Sequence, residues 1–235
     1  MRPHFDPSLV TLKAPTSFAA EQYQGLRISV EQLRRLRDVR LIAVTSPSTG
    51  DGKTVTAINL ATVLAAGSDA RVLLIDADLR RPAIAARLGF GDAGGHGLVD
   101  VVANGNVSLE QVAHTVDGLH LAVVPAGVAR VPTHEILRSP RLQRLLREAR
   151  ERYDYVVLDT PPLLPVFDAA MVAGLVDGLF VVVAADKTPR KLLAEALTLL
   201  DPATVLGIVF NRDKQPLFGY YDSSYRGYFG EAGAA

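Results

Sequence analysis

The 235-residue sequence contains no cysteine. That excludes a disulfide framework, a thiolate metal centre and a cysteine nucleophile, and it suits a reducing cytoplasm. Excess charge of one sign is also missing, since 25 Lys and Arg balance 25 Asp and Glu. Nothing global therefore argues for nucleic acid or an anionic membrane as a partner. The apolar runs are no longer than strands, and the opening "MRPHFDPSLVTLKAPTS" lacks the apolar core of a signal peptide. The expectation is a chain that meets a membrane only through another protein. What is present is a composition 49% hydrophobic and 21% charged, enough to bury a core.

Residues 1–17 carry Pro3, Pro7 and Pro15 without periodicity and read as an extended arm. From Phe18 to about residue 38, Leu26, Val30 and Leu33 recur at helical spacing, with Gly25 as the weak point. Strands and helices then alternate. "RLIAVTS", "ARVLLIDAD", "GLHLAVVPAG", "YDYVVLDTPP", "VDGLFVVVAAD" and "ATVLGIVFN" read as buried strands. Between them, "KTVTAINLATVLAAG" reads as a helix closed by Gly67, a short helix is expected from Pro82 to Leu88, and another helix over "SPRLQRLLREARERY". A last helix starts at Thr188 as N-cap, with Pro189 in its first turn, and runs to Leu200. This is the pattern of an α/β fold: a mostly parallel sheet with helices on both faces, in one domain spanning 18–211. The segment 212–235 changes composition to Gly, Ser and Tyr and reads as a flexible tail.

The stretch "SPSTGDGKT" at 46–54 follows a buried strand and opens a helix, the context a phosphate-binding loop requires. Backbone N–H groups and a helix N-terminus there face an anion. Gly50 and Gly52 permit close approach, Lys53 reaches the β- and γ-phosphates, and the Thr54 hydroxyl holds Mg²⁺. The residues assigned to nucleotide are Ser48, Thr49, Gly50, Asp51, Gly52, Lys53, Thr54 and Val55. Pro47 stands where the usual pattern places its first glycine. The bland alternative is a tight strand-to-helix turn with a surface lysine.

Three acids narrow the chemistry. Asp76 and Asp78 end the strand "VLLIDAD", and Asp159 ends "YVVLD", so all three sit at the strand ends where such sheets bind ligands. At i and i+2, Asp76 and Asp78 share one face if the chain is still extended. For that pair the alternative is a helix cap and a solvated loop charge.

At this point the sequence resembles the bacterial tyrosine kinases of capsule and exopolysaccharide synthesis, in their separate-chain form. The resemblance runs from about Glu21 to Tyr228. It rests on "SPSTGDGKT", on "LLIDADLRRP" and "VVLDTPP", and on the connecting segments "GLVDVV", "VVPAG", "HEILRS" and "FNR". Loops of that family commonly lack the first glycine, as here at Pro47, whereas Thr49 replaces a usual proline. The resemblance implies a P-loop NTPase of the deviant Walker A type, related to partitioning and division-site ATPases, using ATP and Mg²⁺. It implies that Asp76 accepts the tyrosine proton while Thr54, Asp78 and Asp159 order the metal. It also implies a transmembrane activator that recruits the chain to the inner membrane, and head-to-tail self-association through Glu21 and Arg27, with Gln24 in place of an arginine. Tyr220, Tyr221, Tyr225 and Tyr228 become the expected phosphoacceptors.

Asn211, at the end of the last strand, can pair with an adenine edge or serve as a turn residue. Arg138, Arg141, Arg144, Arg147 and Arg150 step by three, spiral around their helix and make no stripe, while Leu142, Leu145, Leu146 and Ala149 form its buried side. The histidines at 4, 96, 114, 120 and 134 have no metal-ligand spacing. A switch ATPase that positions a partner uses the same acids on water, but its second loop lysine is replaced by Ser48. A nucleotide-binding adaptor without transfer is the third reading.

Overall fold

The computed structural model describes residues 5–67, 69–90, 95–103, 107–164, 166 and 168–213. A short helix α1 (Val10–Lys13) precedes α2 (Phe18–Arg37) and the first strand, β1 (Leu41–Thr45). Next come α3 (Lys53–Ala66), β2 (Val72–Asp76), α4 (Ile84–Arg87), α5 (Leu98–Ala103) and α6 (Leu109–Val112). They are followed by β3 (His114–Thr115), β4 (Leu121–Val124), α7 (Thr133–Leu137), α8 (Pro140–Arg152) and β5 (Tyr155–Asp159). The last elements are α9 (Asp168–Ala173), β6 (Gly178–Ala184), α10 (Arg190–Leu197) and β7 (Val205–Asn211).

The strands form one sheet in the order β3-β4-β2-β5-β1-β6-β7, parallel throughout except for the β3–β4 edge pair. Every residue of β1, β2, β5 and β6 is buried, which is why these strands read as continuous apolar runs. Alternate residues face opposite layers. Leu41, Ala43, Leu73, Ile75, Val156 and Leu158 pack on one side, and Ile42, Val44, Val72, Leu74, Tyr155 and Val157 on the other. The α8 stripe behaves as its periodicity predicts, burying Leu142, Leu145, Leu146 and Ala149.

Register decides where the chemistry sits. Asp76, the last residue of β2, pairs with Asp159, the last residue of β5. Val44 of β1 pairs with Asp159 on its other side, one residue before the chain leaves β1 for the phosphate loop. Loop and acids therefore share one sheet edge, at the point where strand order reverses around β1.

Residues 5–17 differ from an extended arm. They hold the turn α1 and bury Leu9 completely. Thr11 donates through both N–H and Oγ1 to Asn59 Oδ1 of α3, at 3.1 and 2.7 Å. Helix α10 also differs at its start, since Pro189, not Thr188, occupies the cap position. The Thr188 hydroxyl instead donates to Asp51 Oδ1 in the phosphate loop at 2.8 Å.

Candidate active site

The loop after β1 needs left-handed backbone at two places only: Gly50 has φ +91° and Gly52 has φ +101°. Pro47 and Thr49 take no positive φ, so neither position requires glycine, and proline's fixed negative φ fits the turn. A Cβ on Gly52 would overlap Asn211 Nδ2.

Asp51 braces the loop from inside. Its carboxylate, 1% exposed, accepts from Ser48 N at 3.0 Å and from Thr188 Oγ1 at 2.8 Å. Asn211 Nδ2 donates to the Asp51 carbonyl at 2.9 Å, and Asn211 Oδ1 accepts from Arg212 N. The loop is thereby tied to the end of β7 and to the turn before α10. Two sequence-based roles change as a result. The Asp51 side chain holds the loop instead of facing a ligand, and the Asn211 amide is engaged with the loop and its own neighbour instead of being presented to an adenine.

Lys53 and Thr54 open α3, and both are buried. Lys53 Nζ lies 2.7 Å from Asp78 Oδ2, 3.4 Å from Asp159 Oδ1 and 3.4 Å from Thr54 Oγ1. Thr54 Oγ1 donates to Asp159 Oδ2 at 2.6 Å. Burial works against the ammonium, but Asp159 and Asp78 outweigh it and hold the Lys53 pKa above the ordinary lysine value. Asp159, itself fully buried, is pushed up to about 6 by burial, with Lys53 and Thr54 pulling against the rise.

Asp76 sits beneath this cluster. Its Oδ2 accepts from Ala83 N at 2.9 Å and Ile84 N at 3.0 Å, and its Oδ1 from Asp78 N at 3.2 Å. The carboxylate thus secures the turn into α4. Burial and then the Asp159 charge raise it to about 7, despite the backbone donors. The chain is no longer extended past Asp76, where β2 ends, so the condition for Asp76 and Asp78 to share one face is not met, and Asp78 lines the cavity while Asp76 does not.

The cavity in front has a volume of about 420 Å³ and is lined by Thr49, Gly50, Gly52, Lys53, Thr54 and Val55 of the loop and α3. Arg80, Arg81, Arg87 and Arg212 join Lys53 and Asp78 on its wall among the described residues, with Arg80 paired to Asp168 and Arg87 to Asp6. Such a wall suits a polyanion.

Sequence reasoning missed Asp168 and Thr133. The Asp168 carboxylate, 3% exposed, accepts Arg80 Nε at 2.7 Å, Arg80 Nη2 at 3.3 Å and Thr133 Oγ1 at 3.0 Å. A lone acid inside the apolar stretch "VFDAAMVA" was the available signal, because a buried carboxylate demands a partner. In α2, Glu21 is exposed. Arg27 folds onto its own chain: its Nε is 3.7 Å from Glu31, and its guanidinium fills the space where a Cβ on Gly67 would stand. Tyr220, Tyr221, Tyr225 and Tyr228 lie outside the described residues.

A family model described as an AAA domain matches residues 39–191, which hold the loop and all three acids. The tyrosine-protein kinase YwqD of Bacillus subtilis is 33% identical over 219 residues, 91% of this chain and 91% of YwqD. The chain belongs to the bacterial tyrosine-kinase family. Another member-like relative is the succinoglycan biosynthesis transport protein ExoP of Rhizobium meliloti, 35% identical over 91% of this chain but only 27% of its own length. The chain therefore spans about a quarter of ExoP and nearly all of YwqD. Among solved structures, the kinase domain of the Escherichia coli tyrosine kinase ETK superposes with a TM-score of 0.81 at 29% identity, covering 90% of this chain and 82% of that one. Family membership and the parallel sheet thus agree with what "DADLRRP" and "SPSTGDGKT" implied. No helix among the described residues is long and apolar enough to cross a membrane.

Proposed function

We propose that this chain is an ATP- and Mg²⁺-dependent protein-tyrosine kinase that phosphorylates the tail tyrosines of neighbouring copies and so regulates capsule or exopolysaccharide synthesis or export. The observation that carries the reading is the convergence of Lys53, Thr54, Asp78 and buried Asp159, the first three of which line a cavity that four arginines also line. Kinship with YwqD supports the same conclusion.

The residues fit a divalent cation. The Lys53 ammonium already lies among oxygens of Thr54, Asp78 and Asp159, so this set accommodates positive charge. Mg²⁺ favours one or two carboxylates plus substrate phosphates over an all-protein cage. Thr54, Asp78 and Asp159 would hold it, and the chemistry it supplies is neutralisation of charge on the β- and γ-phosphates. Lys53 and the loop amides bind and orient the same phosphates. In transfer, a bond forms between an acceptor phenol oxygen and the γ-phosphorus, the bond to the β–γ bridging oxygen breaks, and ADP leaves. A carboxylate takes the phenol proton. Asp76 is proposed for that task, which requires its buried carboxylate to leave the Ala83 and Ile84 amides.

The partner is proposed to be a transmembrane polysaccharide co-polymerase that holds this cytoplasmic chain at the inner membrane. Head-to-tail association through Glu21 and Arg27 would require Arg27 to leave its seat on Gly67. Against a switch ATPase, Ser48 offers no second loop cation.

Incubation of the full chain with ATP labelled in the γ-phosphate and Mg²⁺, with and without an activator peptide, tests the reading. Label on Tyr220, Tyr221, Tyr225 or Tyr228 is expected. Free phosphate without labelled protein would replace the kinase with a switch ATPase, and bound nucleotide with neither product would replace it with an adaptor.

A further inference from the structure

Among the described residues, Arg80 is a cavity-wall arginine held through two of its nitrogens by a buried carboxylate. It sits two residues after Asp78, whose Oδ2 touches Lys53 Nζ at 2.7 Å. Lys53 is the group assigned to the β- and γ-phosphates, and Arg80 lines the same cavity. Its side chain is 45% exposed, whereas that of Asp168 is 4% exposed. The carboxylate is therefore an internal anchor, and Arg80 is the member of the pair that lines the cavity. Asp168 opens α9, Thr133 opens α7, and Arg80 belongs to the turn after β2. Three separate segments meet on one carboxylate.

A paired guanidinium does not lose its charge, since its pKa rises with the Asp168 hydrogen bond and stays far above neutrality. What the pairing removes is freedom. With Nε and Nη2 held, Nη1 is the guanidinium nitrogen not engaged among the described residues, and its direction is set by the fork. A flexible arginine would have to be ordered when a phosphate arrives, whereas this one is ordered beforehand.

We infer that Asp168 and Thr133 are positioning residues that clamp Arg80 so that its guanidinium meets the terminal phosphate of the bound nucleotide. This rests on the kinase reading for its reaction, but on nucleotide binding for its test.

The experiment compares Kd for ATP and for ADP, both with Mg²⁺, in the full chain and in Arg80→Lys, Asp168→Asn and the double variant, with Tm measured for each. Charge-assisted hydrogen bonds to phosphate are worth roughly tenfold or more in affinity. We expect Arg80→Lys and Asp168→Asn each to lower the preference for ATP over ADP by about tenfold. The double variant should fall no further than Arg80→Lys, because Asp168 acts only through Arg80. A merely structural Asp168 would lower Tm and weaken both nucleotides equally, which would overturn the inference, as would additive losses in the double variant. Should Asp168→Asn fail to fold, Thr133→Val, which removes one hydroxyl from the clamp, supplies the same readout. An unchanged ATP-to-ADP ratio there would also overturn it. Failure of the kinase reading shows separately, as absence of tyrosine label in the unmodified chain while the affinity ratio remains measurable.

Discussion

Lys53 Nζ lies 2.7 Å from Asp78 Oδ2 and 3.4 Å from Asp159 Oδ1, making the phosphate-loop lysine the counter-ion of two buried carboxylates. It therefore has a structural role as well as a chemical one. Removing one partner of a buried pair leaves an uncompensated charge, which costs about 3–5 kcal/mol. Lys53→Met should fold but unfold at lower urea concentration, with loss of nucleotide binding and of any tyrosine label. Adding Asp78→Asn should restore part of the stability without restoring the label. A Lys53→Met variant as stable as the unmodified chain would mean that the pair carries no net weight.

The raised proton affinity of Asp76 predicts a pH signature in Mg²⁺-free buffer. Below pH about 4 the group is protonated in both folded and unfolded chains. Between about 4 and 7 only the folded chain keeps the proton, so rising pH favours unfolding. The stability of Asp76→Asn minus that of the unmodified chain should therefore rise across this window, on the order of a few kcal/mol, and flatten above it. Urea melts at a series of pH values measure this. A flat difference would place Asp76 at its ordinary value.

Gly52→Ala should damage the loop by two routes. Its φ of +101° is costly for any side chain, and the added Cβ overlaps Asn211 Nδ2. Combining it with Asn211→Ala removes the overlap but not the backbone strain, about 1–3 kcal/mol. Partial recovery of Tm with nucleotide affinity still reduced is expected. Complete recovery would assign the whole effect to the overlap.

Thr188→Val separates two readings of one hydroxyl. As a helix cap it would matter only to α10. As the donor to buried Asp51 Oδ1 at 2.8 Å, its removal costs about 1–3 kcal/mol and loosens the phosphate loop. Titration with a fluorescent ATP analogue should show weakened binding alongside the lower stability. Unchanged affinity would return Thr188 to a local role.

The order of strands and helices, the phosphate loop and the acids at strand ends were legible in the sequence because each depends on a few neighbouring residues. Strands buried on both faces read as unbroken apolar runs, and a lysine after paired glycines marks the turn into α3. Helices α5, α6, α7 and α9, only four to six residues long, escaped because so short a segment shows no period.

The sequence by itself determined the α/β architecture, the edge of the sheet that carries the chemistry and the family. Tertiary structure alone decided the duties of the charged groups. It turned Asp78 outward and Asp76 onto backbone amides, set Asp51 and Asn211 to hold the loop, and joined Arg80 to Asp168 across 88 positions. Backbone preferences are settled among near neighbours in the chain, but a buried charge is settled by whatever lies within a few ångströms of it.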